Sequence, residues 1–371
     1  MHIVCTKENL LKGIQAVYKA VGSKPILPIL SNILFDCTQS ENKLKLSATD
    51  LEIGVEVLID TEVIKPGKIT IPARALSDII SRLPESDIEL KTDESNAETK
   101  LKCHRSKFNL KSLESDDFPV LPEVSEASSV KLSTELLVQG IKKTIFAAST
   151  DSTKSVLNGV NLNLSQNSLE MAATDGYRLA VKTLQTESLN EQGFSIIIPA
   201  RASNEIMRLF GHLKDSTVKI SKLANQLVFE SDDKIFSTRL VDGQYPDYKR
   251  IIPSNLDIEI VLNRHEFLAA VDRVAAVSSS DKVNIIQLEI KNGLINLNSS
   301  TPEVGQGSES METEYEGESL EINFNARFLL DVLKNFDGDQ VRLLLGGSLS
   351  PCLVKGLDDD SYFCMIMPIR S

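Results

Sequence analysis

The side chains that most often carry catalysis are scattered through this sequence without a recognisable pattern. Its four histidines, His2, His104, His212 and His265, fall in unrelated contexts. The sequence contains no phosphate-binding G-x-x-x-x-G-K-[ST], no nucleophile-elbow G-x-S-x-G and no dinucleotide-binding G-x-G-x-x-G. We therefore predict no catalytic residues and a protein that is not an enzyme.

Metal and cofactor sites are not predicted either. The acidic run at 358–360 is typical of a solvated turn more than of a divalent-cation site, and the segment 67–70 is too short for a phosphate loop. The cysteines are odd in number, far apart and without a C-x-x-C pair, which argues against both disulfides and zinc. We interpret them as buried thiols: Cys5, Cys37, Cys103, Cys352 and Cys364.

One stretch, 172–181, combines turn residues with groups suited to binding. Its centre reads Thr174-Asp175-Gly176-Tyr177-Arg178, between two apolar runs typical of strands. Asp175 suits a tight turn before Gly176 better than it suits a catalytic base. A similar stretch occurs at 48–57, where the pair Thr49-Asp50 lies 125 positions before Thr174-Asp175. A repeat of that length has the size of a small domain and is too long for a solenoid unit.

Other repeated motifs extend this pattern to three units. Pro-Ala-Arg occurs at 72–74 and 199–201, and Asn-Ala-Arg follows at 325–327. The third unit lacks the Thr-Asp turn and has Ser-Thr-Pro at 300–302. We predict an α+β protein with two helices and antiparallel sheets in each of three similar domains, at 1–125, 126–253 and 254–371.

Apolar periodicity predicts six helices, with many short strands between them. Thr6 and Asn263 are suited to be N-caps of the first and fifth helices. The predicted helices cover 7–21, 73–82, 134–149, 200–214, 264–278 and 326–336.

The net negative charge of the whole chain argues against nucleic acid as a partner. The 371-residue chain is 42% hydrophobic and 25% charged, with a net charge of -12 and a pI near 5.0. However, the six predicted helices carry 14 Lys and Arg against 7 Asp and Glu, which leaves -19 on the remainder. Such a split favours a basic helical face that meets phosphates. The alternatives are a chance distribution of the charges and a repeat-built scaffold that binds only proteins.

Hydropathy predicts a cytoplasmic protein without a membrane partner. No apolar run approaches the roughly 18 residues of a membrane span, and the first twelve residues lack a signal-peptide pattern.

Taken together, these motifs resemble the bacterial DNA polymerase III beta subunit, or beta sliding clamp. The resemblance covers the whole chain and includes the segment 24–30, both Pro-Ala-Arg motifs, the stretch 173–181, the segment 246–250 and the C-terminal 367–370. It implies the DNA-clamp fold and a head-to-tail homodimer that closes into a ring around double-stranded DNA. It also implies that the replicative DNA polymerase, the clamp loader and other proteins with a clamp-binding motif are partners.

The resemblance further implies which residues contact each partner. DNA-contacting positions carried over from the family are Lys24, Arg74, Lys154, Arg201 and Arg250. Partner peptides are expected in an apolar pocket between the second and third domains, since methionine and aliphatic side chains adapt to varied ligands. The matching positions are Leu157, Thr174, Gly176, Tyr177, Arg178, Leu179, Pro246, Arg250, Ile251, Phe328, Leu349, Met365, Met367, Pro368, Ile369 and Arg370.

The resemblance also places the dimer interface and shows where this chain departs from the family. Phe108 and Leu110 are expected on one edge, and Val277 and Ser278 on the other. Ser278 stands where an apolar residue is usual. Ser371 and Val283 replace an apolar last residue and an aromatic at the pocket rim. We expect these departures to affect dimer strength and peptide affinity.

Overall fold

The computed structural model describes most of the chain. The described residues are 1–22, 25–39, 41–93, 98–122, 129–151, 153–186, 193–213, 216–278, 283–291 and 293–370. The first predicted domain boundary, near 125, lies outside them.

Six α-helices occur in the described residues, at the six predicted places. Five of them end earlier than predicted, by two to five residues, because the chain turns or continues as a short 3₁₀ segment. Thr6 and Asn263 accept hydrogen bonds from the amides of Asn9 and Glu266, as their N-cap prediction requires. The helices are α1 (Lys7–Tyr18), α2 (Ala73–Arg82), α3 (Thr134–Thr144), α4 (Ala200–Phe210), α5 (Arg264–Ala275) and α6 (Ala326–Lys334).

The strands are short, and most alternate between buried and more exposed residues. In chain order they are β1 (His2–Thr6), β2 (Asn32–Asp36), β3 (Lys43–Thr49), β4 (Ile53–Asp60), β5 (Glu62–Lys65), β6 (Lys68–Pro72), β7 (Asp87–Asp93), β8 (Glu98–Cys103), β9 (Ser106–Lys111), β10 (Ser129–Ser133), β11 (Gly159–Leu164), β12 (Ser168–Thr174), β13 (Arg178–Gln185), β14 (Phe194–Pro199), β15 (Thr217–Lys222), β16 (Gln226–Glu230), β17 (Lys234–Arg239), β18 (Ile258–Asn263), β19 (Ile285–Lys291), β20 (Leu294–Thr301), β21 (Gly305–Glu312), β22 (Leu320–Asn325), β23 (Gln340–Leu345), β24 (Cys352–Gly356) and β25 (Tyr362–Ile366).

These strands form four antiparallel sheets built from one repeated four-stranded group, to which β5 adds a fifth strand in the first sheet. The orders are β5-β1-β7-β8-β9, β10-β15-β16-β17-β4-β3-β2-β6, β14-β11-β12-β13-β25-β24-β23-β18 and β21-β20-β19-β22. Each eight-stranded sheet consists of two four-stranded groups, joined by β17 to β4 in one sheet and by β13 to β25 in the other. The two remaining groups end at β9 and β21.

The strand pairing divides the chain into two compact units. The first contains Met1–Glu135 and Asn204–Leu240, and the second contains Leu136–Ser203 and Val241–Ser371. Each unit therefore takes one four-stranded group from the central repeat and two from a neighbouring repeat. The compact units cross the repeat boundaries because antiparallel strand pairing joins one repeat to the next.

Each unit has its own apolar core, which lies between helices and sheets. All five cysteines are free and buried, as predicted. Burial raises the pKa of the Cys5 thiol to about 11 and that of Cys364 to about 12, so both remain protonated at neutral pH. Among the described helices, none has both the length and the apolar character required to cross a membrane.

Tyr362 ties β25 to α3 within the second unit. Its buried hydroxyl donates to the carbonyl of Lys143, in the last turn of α3, over 2.9 Å. Helix-terminal carbonyls lack an intrahelical partner, so this bond satisfies one of them. Two ammonium groups lie over the tyrosine ring, Lys143 Nζ at 5.3 Å and Lys182 Nζ at 5.9 Å from its centroid. They form ion pairs with Asp337 and Asp359, over 2.7 and 2.9 Å.

We predict that Tyr362→Phe destabilises the second unit by about 1–2 kcal/mol, since a buried carbonyl loses its donor. The urea midpoint of unfolding, followed by circular dichroism, measures the change. Tyr315→Phe is the matched control, because the Tyr315 hydroxyl bonds the Glu318 carbonyl at an exposed site. Equal midpoints for the two variants would contradict the proposed role of the Tyr362 hydroxyl.

Candidate functional site

The turn between β12 and β13 is held by side-chain hydrogen bonds. Thr174 Oγ1 donates to the carbonyl of Arg178 over 2.6 Å and accepts from the amide of Gly176 over 3.1 Å. Asp175 Oδ1 accepts from the amides of Tyr177 and Arg178, over 2.9 and 3.0 Å. Gly176 has a φ of 94°, a conformation that glycine adopts without strain. The interpretation of Asp175 as a turn residue is confirmed by these bonds.

The first copy of the turn, between β3 and β4, has the same hydrogen-bond pattern. Thr49 donates to the carbonyl of Ile53 over 2.8 Å, and Asp50 accepts from the amides of Glu52 and Ile53 over 3.1 and 2.9 Å. Leu51 takes the left-handed position there, with a φ of 75°. The two turns therefore share a backbone and differ in the side chains that they present.

Arg178 is the central charged group of the second copy. Its Nε lies 3.1 Å from Asp175 Oδ2, and its Nη1 lies 2.6 Å from Asp331 Oδ2 on α6. The guanidinium carbon also lies 4.5 Å from the ring centroid of Phe328 and 5.5 Å from that of Phe146. Two carboxylates and two aromatic rings thus fix its orientation.

The stacking continues from Arg178 to the surface. The ring of Tyr177 stacks on Phe328, with centroids 6.5 Å apart and planes inclined by 24°. Lys154 Nζ lies 5.6 Å from the centroid of Tyr177. Tyr177 nevertheless remains 60% exposed. Lys154, Tyr177, Phe328, Arg178 and Phe146 therefore form a continuous cation–aromatic stack that reaches from the interior to solvent.

Below the stack is an apolar floor. Ala172, Leu179, Val181, Tyr248, Leu353 and Met365 pack there as one buried cluster. Two tyrosine hydroxyls anchor its edge, since Tyr245 accepts from the amide of Thr174 over 2.9 Å and Tyr248 donates to Glu170 over 2.7 Å. Burial raises the pKa of both phenols, so both hydroxyls stay protonated.

The C-terminal segment borders the floor. The amide of Met367 donates to the carbonyl of Tyr177, and that of Ile369 donates to Asn323, each over 2.8 Å. The exposed or half-exposed members of the predicted pocket set are Leu157, Gly176, Tyr177, Arg178, Pro246, Arg250, Ile251, Phe328, Leu349, Met367, Pro368, Ile369 and Arg370. Thr174, Leu179 and Met365 are buried, so they support the surface from below.

Sequence reasoning missed several residues of this site. Phe146 and Asp331 hold Arg178, but they are far from it in the chain and no motif connects them. Tyr245 could have been found, because it lies in a segment, 240–246, that repeats 113–119. Tyr248 lies two residues beyond that repeat, so the repeat does not indicate it.

The same surface cannot form at the first copy. Gly54 stands opposite Ser237 there, whereas Leu179 stands opposite Met365 in the second copy. A Cβ on Gly54 would lie 2.5 Å from the side chain of Leu121, so Leu121 fills the space above this glycine. The first copy consequently has no leucine–methionine floor.

The predicted DNA-contacting residues lie in both units. Arg74 and Arg201 are exposed, each the second residue of its helix, α2 or α4. Arg250 is exposed and pairs with Asp247 over 2.8 Å. Lys154 is exposed and caps the stack described above. Lys24 lies outside the described residues.

The predicted interface residues lie on β9 and in the 3₁₀ segment that follows α5. Phe108 and Leu110 are half-buried on β9, and Val277 follows α5. Ser278 is only 1% exposed, and its hydroxyl bonds Asn284 and Ser299. Its polar group is thus satisfied within its own chain.

Of the two positions that depart from the family at the pocket, the structure describes one. Val283 is 47% exposed, and Ser371 lies outside the described residues.

Two carboxylates of the acidic turn at 358–360 form ion pairs with basic side chains. Asp359 pairs with Lys182, and Asp360 pairs with Arg342 and Lys355, over 2.7 and 3.1 Å. In the part of the chain that the structure describes, no group of three His, Cys, Asp or Glu side chains could hold a metal ion.

We predict that Asp175→Ala opens its turn more than Asp50→Ala opens the first copy. Both variants lose the carboxylate oxygen that accepts from two backbone amides, but only Asp175 also orients an arginine. Hydrogen–deuterium exchange at residues 177–178 and 52–53 measures the opening. We expect the Asp175 variant to lose about 1–2 kcal/mol more protection, the value of a charge-assisted bond. Equal losses in the two turns would show that Arg178 does not depend on Asp175.

Comparison with known proteins identifies the family. The N-terminal, central and C-terminal domain models of the DNA polymerase III beta subunit match residues 1–122, 131–247 and 249–370. The beta sliding clamps of Staphylococcus epidermidis and Staphylococcus aureus are 34% and 33% identical over 380 aligned positions, with full coverage of both chains.

Solved structures agree with this assignment. The DnaN sliding clamp of Pseudomonas aeruginosa bound to griselimycin has a TM-score of 0.94 at 33% identity, with full coverage of both chains. The Bacillus subtilis clamp has a TM-score of 0.93 at 30% identity and covers 100% of this chain and 99% of its own. The chain therefore has the three-domain clamp fold and belongs to the beta sliding clamp family, whose members act as DNA sliding clamps and non-catalytic processivity subunits of DNA polymerase III.

Proposed function

We propose that two copies of this chain join head to tail and close into a ring that double-stranded DNA threads. The observation that carries this proposal is the pair of unequal terminal strands, β9 and β21, each at the end of its sheet. Unlike edges produce a heterologous contact, which gives a closed ring when the rotation closes. Three repeats per chain, at 1–125, 126–253 and 254–371 with two helices each, would give the ring six similar domains.

The charge distribution supports a role for the helices in facing DNA. With the observed bounds, the six helices carry twelve Lys and Arg against seven Asp and Glu, a net charge of +5. The rest of the chain then carries -17, since the total is -12. A basic helical lining attracts phosphates without reading sequence, which suits a protein that must slide.

The decisive experiment compares DNA topologies. A ring loaded on nicked circular DNA by a clamp loader is expected to co-elute with that DNA and to be lost once the circle is linearised. Retention on both forms would favour ordinary DNA binding. Absence of retention on either form would favour the protein-binding scaffold that does not encircle DNA. We expect this role to place the protein in the cytoplasm, together with the polymerase and the loader.

We predict that Arg201→Glu weakens the association with DNA and lowers the slope of log affinity against log salt by about one, because a phosphate contact is lost. Fluorescence anisotropy with duplex DNA at several salt concentrations measures both. Lys100→Glu, the same charge change on strand β8, is the control. An equal effect of the two variants would mean that net charge alone acts. The remaining DNA-facing candidates are Lys24, Arg74, Lys154 and Arg250.

We further propose that the surface around the cation–aromatic stack docks short linear peptides of partners. Four large apolar residues of the predicted pocket set, Tyr177, Ile251, Leu349 and Met367, are exposed, with exposed fractions of 38% to 64%. Exposed large apolar side chains concentrated around a few fixed polar groups are typical of ligand sites. Griselimycin, which is bound in the P. aeruginosa structure, is a suitable probe in addition to a clamp-binding peptide.

We predict that Tyr177→Ala weakens binding of a fluorescent clamp-binding peptide about tenfold, since a large exposed aromatic contact is lost. Glu52→Ala, at the equivalent position of the first turn, is the matched control and should leave the affinity unchanged. Sedimentation checks that both variants assemble as the parent does. Unchanged affinity of the Tyr177 variant, or equal weakening by both, would contradict the pocket.

A further inference from the structure

Lys143, in the last turn of α3, is a buried cation outside the candidate site. Its side chain is only 9% exposed. Its Nζ donates to the carbonyl of Asn335 over 2.6 Å and lies 2.7 Å from a carboxylate oxygen of Asp337. Burying an ammonium costs free energy unless such partners replace the lost water. Satisfying a helix end does not require this cost, because water also satisfies terminal carbonyls.

Asn335 connects this cation to the last turn of α6. It is the residue that follows α6, and its backbone amide donates to the carbonyl of Val332 over 3.0 Å. Its side-chain amide donates to the carbonyl of Asp331 over 2.8 Å. Lys143 therefore holds the C-terminal end of α6 against the C-terminal end of α3.

The other half of α6 holds Arg178. Asp331 pairs with its guanidinium over 2.6 Å, and the ring centroid of Phe328 lies 4.5 Å from its guanidinium carbon. Phe328, Asp331 and Asn335 follow one another at spacings of three and four residues, so they share one face of the helix. A helix rises about 10 Å over this span. The orientation of α6 is thus fixed at two separate points.

The end of α3 reaches both of these points. Phe146 comes three residues after Lys143, and its ring centroid lies 5.5 Å from the guanidinium carbon of Arg178. The guanidinium therefore contacts one ring that follows α3 and another, Phe328, on α6. The bond from Lys143 to Asn335 sets the spacing between the two elements that carry these rings.

We infer that Lys143 is a positioning residue for the peptide-docking surface proposed above, on which this role rests. By fixing α6 against α3, it places Phe328 and Asp331 around Arg178. Phe328 is also the ring on which Tyr177 stacks, with centroids 6.5 Å apart. Lys143 thereby controls the position of an exposed docking side chain that it does not contact.

The turn that carries Tyr177 does not need this support. Thr174 and Asp175 bond its amides and the carbonyl of Arg178 from within the turn. Loss of the Lys143 ammonium should therefore leave the turn closed and displace only the ring beneath Tyr177.

Lys182 on β13 provides a matched control. Its side chain is 7% exposed, and its Nζ lies 5.9 Å from the centroid of Tyr362, the ring that Lys143 also covers at 5.3 Å. Within the described part of the chain, its hydrogen bonds go to Asp359 and Ser361 rather than to α6. Both lysines bury an ammonium over the same ring, and Lys143 alone of the two holds α6.

The peptide affinity of the full chain tests this role. Fluorescence anisotropy with the labelled clamp-binding peptide compares the parent with three variants. We expect Lys143→Met to weaken binding about fivefold, since the ring beneath Tyr177 shifts, and Lys182→Met to leave it unchanged. Lys143→Arg should restore it to within about twofold of the parent, because a guanidinium keeps the charge and the donors. If Lys143→Met does not fold, Lys143→Gln takes its place under the same expectation.

Two further measurements separate positioning from a general loss of packing. In an Asp331→Ala background, Lys143→Met should weaken binding by less than about twofold more, because the contact through which it acts is already absent. Hydrogen–deuterium exchange at residues 177–178 should be the same in Lys143→Met as in the parent, because the bonds within the turn remain.

Several results would overturn this role while the docking surface stands. They are unchanged affinity of Lys143→Met, equal weakening by Lys182→Met, no recovery in Lys143→Arg, a full additional loss in the Asp331→Ala background, and faster exchange at 177–178. A parent protein that does not bind the clamp-binding peptide would overturn both the docking surface and the role of Lys143.

Discussion

The antiparallel pairing of β13 with β25 is the interaction on which the candidate site depends. It joins a four-stranded group of the central repeat to one of the last repeat, with Leu179 opposite Met365 and Arg178 opposite Ile366. Cross-strand neighbours on one face lie about 5 Å apart, so this register alone brings the leucine and methionine of the floor together. A slip by one residue would turn both away.

The two Thr-Asp turns have the same backbone hydrogen bonds but present different side chains. Both Thr-Asp turns tie their own amides and carbonyls through the same four side-chain bonds, so neither backbone depends on what the turn presents. In the first copy, Gly54 and Leu121 close the surface. In the second, Leu179 extends the floor and Tyr177 projects from it. The docking surface proposed above would depend on this difference at a few positions.

Most of the fold, but only part of the candidate site, could be predicted from the sequence. Helix starts were accurate, because N-caps such as Thr6 and Asn263 are local signals, and helix ends were less so, because the last turns depend on packing. Repeats at fixed spacing predicted equivalent elements. The repeats could not predict that the compact units cross the repeat boundaries, since the pairing of β4 with β17 joins strands far apart in the chain.

The residues that fix Arg178, Asp331 and Phe146, carried no sequence signal, because they too are far from it in the chain. Leu179 and Met365 were expected to line the pocket, and their burial shows that residue type alone does not distinguish lining from support.

The position of three arginines bears on how DNA would be attracted. Arg74, Arg201 and Arg327 are each the second residue of a helix, where the helix dipole is positive and a cation typically costs about 0.3–1 kcal/mol. None of these three helices has an acidic residue in its first turn, whereas α1, α3 and α5 each have one glutamate there. A DNA phosphate, as in the proposed role, would offset this unfavourable arrangement in all three repeats. Backbone amides, dipole and arginine would then act together on a phosphate. Each such contact is weak and independent of sequence, which is compatible with sliding, because a closed ring does not need tight contacts to stay on DNA.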